Sequence, residues 1–309
     1  MKEKFAAYCY WYDFDNYDDV YDISLKLRHG TCFQFMGCIC TYYGMTEKSM
    51  YIFLPNNDSL DDKQAKTKID FVTKILTLVF AIPIWDKDLT VLKSNSIPTV
   101  NKLISADNLN KLAFIDKRIQ TFKADRTFFE ECVNLLIVAN HNYYVRNDED
   151  TLLYFFKIIE KIAKENYRRY MERYFTKARV KRDKQELRRI LSKYTKDNLN
   201  MSLTDNMLNT NVDYFYRQIK EKFYGNIYGK ISLMINHRNI KISSDIVSML
   251  VKCRNKLAHG DSIDEEELLV CIDYAEVLAE EFIAKKFFYK AYDDIHICAK
   301  RLGKDDEWW

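Results

Sequence analysis

The apolar positions of this chain change period once. Over the first fifty-odd residues they fall in short aromatic and β-branched runs: "KFAAYCYWYDF" (4–14), "VYDISLKLR" (20–28), "TCFQFMGCICTYY" (31–43) and "SMYIFLP" (49–55). Runs of this kind predict strands, with His29-Gly30 and Gly44 as turns between them. Their alternation is imperfect, which leaves the number of strands open. From Leu60 the period becomes helical. Ile69, Val72, Ile75, Leu76 and Val79 recur three and four residues apart, acids open the segment, and Pro83 closes it. Residues 86–120 follow neither template.

Beyond residue 121 the helical period is nearly continuous, and helices are expected at roughly 125–141, 148–175, 183–194, 205–224, 244–259 and 263–290. "SIDE" at 262–265 has the form of a capping box, Ser243 or Ser244 can start the helix before it, and Gly260 stands where a C′ glycine belongs. The change of texture predicts an α+β chain. A β-rich α+β domain would span 1–120 and an all-helical domain 121–309.

Composition adds little to that division and limits what the chain can be. Of its 309 residues 48% are hydrophobic and 30% charged, with a net charge of +3, a balance that neither demands nor excludes nucleic acid. Only seven glycines and three prolines punctuate it, which favours long regular elements. The eight cysteines (Cys9, Cys32, Cys38, Cys40, Cys132, Cys253, Cys271 and Cys298) show no paired C-x-x-C spacing. Buried free thiols in a reducing compartment are therefore expected over structural zinc. The first residues lack the apolar run of a signal peptide, and the longest apolar patch, 75–85, is too short to span a bilayer. A cytoplasmic protein without a membrane partner is the expectation.

The candidate chemistry lies in the helix at 244–259. At 100° per residue, Ile246, Leu250, Cys253 and Leu257 make one apolar row, and Val247, Val251, Arg254 and Ala258 make the next. Arg254 thus takes a position where an apolar residue is expected. Asn255 and His259 lie four apart, further round the same helix. A plainer reading is an arginine snorkelling from a core edge near a helix C-terminus that favours cations.

The spacing R-N-x-x-x-H within "RNKLAHG" resembles the signature of the HEPN superfamily. These are all-helical domains, many of them metal-independent endoribonucleases of toxin–antitoxin, CRISPR-associated and abortive-infection systems. The order of elements also fits, with the motif helix late and one long helix after it. "DTLLYFFKIIEKIAKENY" (150–167) resembles the early helix whose glutamate recurs in these domains, here Glu160. Within the superfamily the likeness is nearest to ApeA-like HEPN proteins, which carry an unrelated domain ahead of the HEPN part. It covers roughly 121–309, while 1–120 resembles nothing nameable. Gly260-Asp261 after His259 departs from the polar-x-Tyr continuation of the nucleotidyltransferase-paired branch.

The resemblance implies catalysis by Arg254 and His259, with Asn255 and Glu160 in support, no metal or cofactor, and RNA as substrate. It further implies a homodimer whose two motif helices share one cleft, a setting in antiviral defence, and an N-terminal domain that senses a protein or nucleic-acid trigger. The residue types suit the chemistry. RNA carries its own nucleophile, the 2′-OH. Histidine, with an ordinary pKa of about 6.5, can act as base or acid, and arginine can clamp two phosphate oxygens.

A second feature is "KENYRRYMERYFTKARVKRDKQELRR" (164–189), with eleven Lys/Arg against four acids and Tyr167, Tyr170 and Tyr174 interleaved. Arg168, Arg169, Arg173 and Lys177 are its candidate RNA contacts; a solvated helix laced with ion pairs is the plainer reading. His237-Arg238-Asn239 reads as a loop, His141 as a helix end and Arg28-His29 as a turn. The acidic N-terminal residues (Asp13, Asp15, Asp18, Asp19 and Asp22) lack EF-hand spacing. Two other readings stay open: a catalytically inactive HEPN-type module that binds RNA or nucleotide or dimerises, and a structural interaction protein.

Overall fold

The computed structural model describes residues 5–10, 27–43, 49–55, 60–80, 91–94, 97–122, 125–174 and 176–297. The chain is α+β, a small antiparallel sheet followed by mostly helices. It divides into two compact units, residues 1–158 with 263–309, and residues 159–262. This division follows packing, whereas the change of texture near residue 120 follows composition along the chain.

In the first unit, β1 (Phe5–Tyr10), β2 (Thr31–Phe35), β3 (Cys38–Tyr42), β4 (Ser49–Leu54) and β5 (Leu92–Lys93) form a sheet in the order β2-β3-β4-β1-β5. The run 31–43, read as one strand, is a hairpin: Met36 (φ 50°) and Gly37 (φ 76°) make a two-residue turn with both residues left-handed. Met-Gly lacks the Asn-Gly signal, so the aromatic run looked unbroken. Every position of β4 is buried, which explains why alternation failed there: a strand covered on both faces carries an unbroken apolar run. Expected turn Gly44, Pro83, the acidic aspartates of the N-terminus and most of the run 20–28 lie outside the described residues.

Helix α1 (Asp62–Phe80) packs on β1 and β4, and the anticipated row Ile69, Val72, Ile75, Leu76 and Val79 is buried. The stretch that fitted neither template holds β5 and α2 (Ala106–Gln120), whose N-cap Ser105 accepts from the Asn108 N–H. Its buried stripe, Leu112, Ile115 and Ile119, is short, which is why the period did not stand out. Just ahead of α2, Asn101 clips the edge of β2. Its amide donates to the Gly30 carbonyl (2.7 Å) and accepts from the Cys32 N–H (3.2 Å), and its own N–H reaches the Cys32 carbonyl (3.0 Å). An otherwise open strand edge is thereby satisfied.

Helices α3 (Arg126–Tyr144) and α9 (Glu265–Ile283) and the π-helical turn Ala284–Phe288 complete the core of this unit. Phe122, Phe129, Phe287 and Phe288 meet in it, with Phe129 and Phe287 edge to face at 4.9 Å. Arg118 donates to the Phe287 carbonyl at 2.7 Å, satisfying a backbone acceptor at the end of the helix. The short α10 (Tyr292–Ile295) is held to α1 through the Tyr292 hydroxyl on the Leu78 carbonyl and the Ile297 N–H on the Val79 carbonyl. The box expected at Ser262 is replaced by Asp264, which accepts from the Glu266 and Glu267 N–H groups. An ionised carboxylate is a stronger acceptor there than a hydroxyl.

Helix α4 (Asp148–Tyr174) runs from the first unit into the second, which also contains α5 (Lys177–Leu199), α6 (Asp205–Tyr224), α7 (Ile227–Arg238) and α8 (Ser244–His259). Helices α5 and α6 form a hairpin bridged by Lys184–Asp213 (2.6 Å) and Arg188–Asp205 (2.5 Å). Helix α7 was not anticipated, and it corrects the reading of His237-Arg238-Asn239 as a loop: the first two close α7 and Asn239 caps it in the left-handed conformation. Cys32, Cys38, Cys40, Cys132, Cys253 and Cys271 are buried free thiols. No helix of the described residues is long and apolar enough to cross a membrane.

Removal of the fully buried Phe129 ring should cost about 3–5 kcal/mol, the usual range for a core phenylalanine cut to alanine. Urea unfolding of Phe129→Ala should show that loss, whereas Ile190→Ala, at an exposed site on α5, should change stability by less than about 0.5 kcal/mol.

Candidate functional site

Helix α8 is bounded sharply at both ends. Ser243 caps it by accepting from the Ile246 N–H. At the other end Gly260 (φ 77°) turns left-handed, its N–H on the Leu257 carbonyl (3.1 Å) and that of Asp261 on the Lys256 carbonyl (2.9 Å). This closure stops the helix immediately after His259 and leaves that histidine exposed on its last turn.

Val247, Leu250 and Cys253 are the buried stripe, with Ile246, Val251 and Leu257 half-buried beside it. The inward face therefore lies between the two rows drawn from the helical wheel. Arg254 sits at its edge, with 32% of its side chain exposed. Its guanidinium meets Asn255 and Glu160. One Nη donates to Asn255 Oδ1 at 3.1 Å and the other to Glu160 Oε2 at 3.3 Å. The second oxygen of Glu160 is taken by Lys164 at 2.6 Å. Glu160 lies on α4, 94 residues before Arg254, and its side chain is only 18% exposed. One carboxylate thus holds two cations, and the group Glu160, Lys164 and Arg254 keeps a net charge of +1.

Lys164 was not among the candidates for this site. Its signal was present as an acid followed by a lysine four residues on, the spacing that pairs side chains along a helix. Comparison with family models, curated proteins and solved structures finds no match to this chain. What the site can do must therefore be judged from its own residues.

The arrangement offers a fixed guanidinium, an amide beside it and an exposed imidazole at the end of the same helix. Such a set can bind and polarise an anionic oxygen and exchange a proton near it. Among the described residues no group of three or more His, Cys, Asp or Glu side chains could hold a metal ion.

The candidate RNA contacts fall into a different arrangement. Arg168 is clasped by Glu165 (2.8 Å) and Glu172 (2.8 Å), and Arg169 by Glu165 (2.7 Å). Much of their charge is thus answered on α4 itself, while Arg173 and Lys177 are exposed. Helix α5 has no buried residue, and Arg182, Arg189, Lys193 and Lys196 share the side turned away from α6, where Glu186 clasps Arg189 at 2.6 Å. Elsewhere in the unit, His237 meets the buried Asn166 at 3.1 Å. Shielding of the ring from water, then the charges of Arg238 and Arg173, hold its pKa below the ordinary histidine value. In the first unit His29 binds the Tyr43 carbonyl at the turn before β2, and the carbonyl of His141 accepts at the end of α3.

The two arginines hold the Glu165 carboxyl down at about 2, with the Arg168 hydrogen bond as the largest cause. Because the folded value is depressed, the stabilisation is present above the ordinary carboxylate pKa and fades as pH falls toward 2. Carboxyl-detected NMR titration should place the Glu165 midpoint well below that of an ordinary glutamate, and Arg168→Ala should raise it.

Proposed function

We propose that the chain is a metal-independent endoribonuclease of the HEPN type, with Arg254 and His259 as its catalytic residues. The observation that carries this reading is the Glu160 carboxylate on the Arg254 guanidinium. The motif and the early-helix glutamate come from separate stretches of sequence, and their side chains meet. Arg254 then binds two non-bridging oxygens of the scissile phosphate and offsets the charge that grows on the phosphorane. His259 takes the proton of the attacking 2′-OH or gives one to the departing 5′-oxygen. The phosphorus–oxygen bond to the 5′-oxygen breaks as that to the 2′-oxygen forms, leaving a cyclic phosphate.

Asn255 steadies the guanidinium, and Glu160 fixes its direction. One His259 serves one proton transfer, so a second copy of the chain would supply the other from its own α8, and a homodimer follows as part of the proposal. In this reading the RNA backbone runs along Arg173, Lys177 and the outward side of α5. An intracellular setting in antiviral defence, with the sheet-bearing N-terminal domain sensing a trigger, belongs to the same reading by family likeness alone.

Incubation with single-stranded RNA in excess EDTA should give cleavage products ending in a cyclic phosphate. His259→Ala and Arg254→Ala should each lower the rate about a hundred-fold or more, within the range of general acid–base and charge stabilisation, while RNA binding survives in His259→Ala. Equal binding without cleavage by wild type and variant would sink the enzyme reading and favour an inactive binding module.

A further inference from the structure

The first unit contains a cleft of about 880 Å³, within the size range of small-ligand sites. Its walls are the β2–β3 turn, one face of α1, the end of α2 and the start of α3. It is separate from the residues of the proposed nuclease site and does not rest on that reading.

The charges around the cleft are unevenly answered. Asp70 pairs with Lys74 at 2.8 Å, Glu130 pairs with Arg126 at 2.8 Å, and Asp61 accepts from the Gln64 backbone at the start of α1. Lys63 and Lys68 have no carboxylate partner among the described residues. Lys68 is half-buried, and its ammonium lies over the turn, 3.3 Å from where a β-carbon on Gly37 would stand. Its neighbour Cys38 is no counter-ion: burial pushes that thiol up to about 11 in spite of the lysine's charge. A half-buried cation with room in front of it and no anion beside it among the described residues is a seat for an anionic group.

The remaining surfaces suit a flat, polar-edged body. Gln64, Lys68 and Phe71 follow one another at i, i+4 and i+7 along α1. The Arg126 guanidinium carbon lies over the Phe71 ring, 4.7 Å from its centroid, and guanidinium and aromatic faces are surfaces on which bases rest. Gln120 and Asn134, also in the lining, offer both donors and acceptors. Inorganic phosphate would fill a small part of this space and leave the apolar and amide surfaces unused.

We propose that this cleft binds a nucleoside phosphate, with the phosphate on Lys68 and Lys63, the base against the Arg126–Phe71 stack, and the amides at its edge. The ligand class has the two parts that the cleft has: a compact anion and a planar ring bearing donors and acceptors.

Titration calorimetry on the full chain, with adenosine monophosphate, uridine monophosphate and inorganic phosphate in separate runs, tests this. At least one nucleotide should bind, with phosphate alone about ten-fold weaker or worse. Lys68→Met should weaken nucleotide binding about ten-fold, the scale of one charge-assisted contact, and Lys63→Ala, at an exposed site that carries no packing, about three-fold. Thermal unfolding checks that each variant is folded. His259→Ala should bind nucleotide as the wild type does, so loss of the nuclease reading and loss of this one are separable. No heat with either nucleotide at millimolar concentration would overturn the proposal. So would equal binding of phosphate and nucleotide, or affinity unchanged in folded Lys63→Ala and Lys68→Met.

Discussion

A charge drawn part-way out of water must be answered where it sits, and the second unit is organised around one such answer. Arg254 occupies a half-buried position that the rest of α8 would give to an apolar side chain. Removing Glu160 would take the carboxylate from a guanidinium already drawn part-way out of water, the costly half of a broken ion pair. Glu160 answers Arg254 from another helix, so the pair fixes α8 against α4 as well as neutralising a charge. Hydrophobic contacts alone would tolerate small rotations of α8. A guanidinium held by a carboxylate on one side and an amide on the other is directional, and it sets the face that the helix shows.

The same constraint separates the cations that are structural from those that are available. On α4, Glu165 takes up Arg168 at 2.8 Å and Arg169 at 2.7 Å. Arg168 is bonded to carboxylates through Nε and both Nη, so it reaches a phosphate only by giving up such a bond, which subtracts from whatever the phosphate contributes. Basic composition along residues 164–189 therefore overstates what that segment offers to an anion. In the first unit the reasoning runs the other way. Lys68 is half-buried like Arg254, yet no carboxylate of the cleft meets it. That difference is invisible in charge counts.

How much of this was legible in the sequence depends on how local each cause is. Helix α8 was legible to within a residue at its ends, because Ser243 and Gly260 act on their immediate neighbours. Helix α1 was legible because five buried residues recur at one period. The β2–β3 hairpin was missed because its turn uses Met36 in a conformation that asparagine or glycine usually takes. Helices α2 and α7 were missed because short buried stripes leave a faint period. The Glu160–Arg254 contact lies at the far limit, since nothing in periodicity links residues 94 apart. A family likeness named both partners, and only three-dimensional packing joins them.

The closure of α8 carries the last step. His259 stands on the final turn because Gly260 adopts a positive φ that a side chain would strain, and the Schellman hydrogen bonds depend on that turn. Had the helix continued, His259 would be one more residue on its solvent side, with further turns beyond it. Ended where it is, the imidazole stands beside an open helix terminus, one turn past a guanidinium whose direction is fixed from α4. Arg254 is held and His259 is exposed, a division that suits one group that must orient a phosphate and another that must reach a proton. The two roles ask for opposite environments, and a helix edge leading to a glycine stop provides both within six residues.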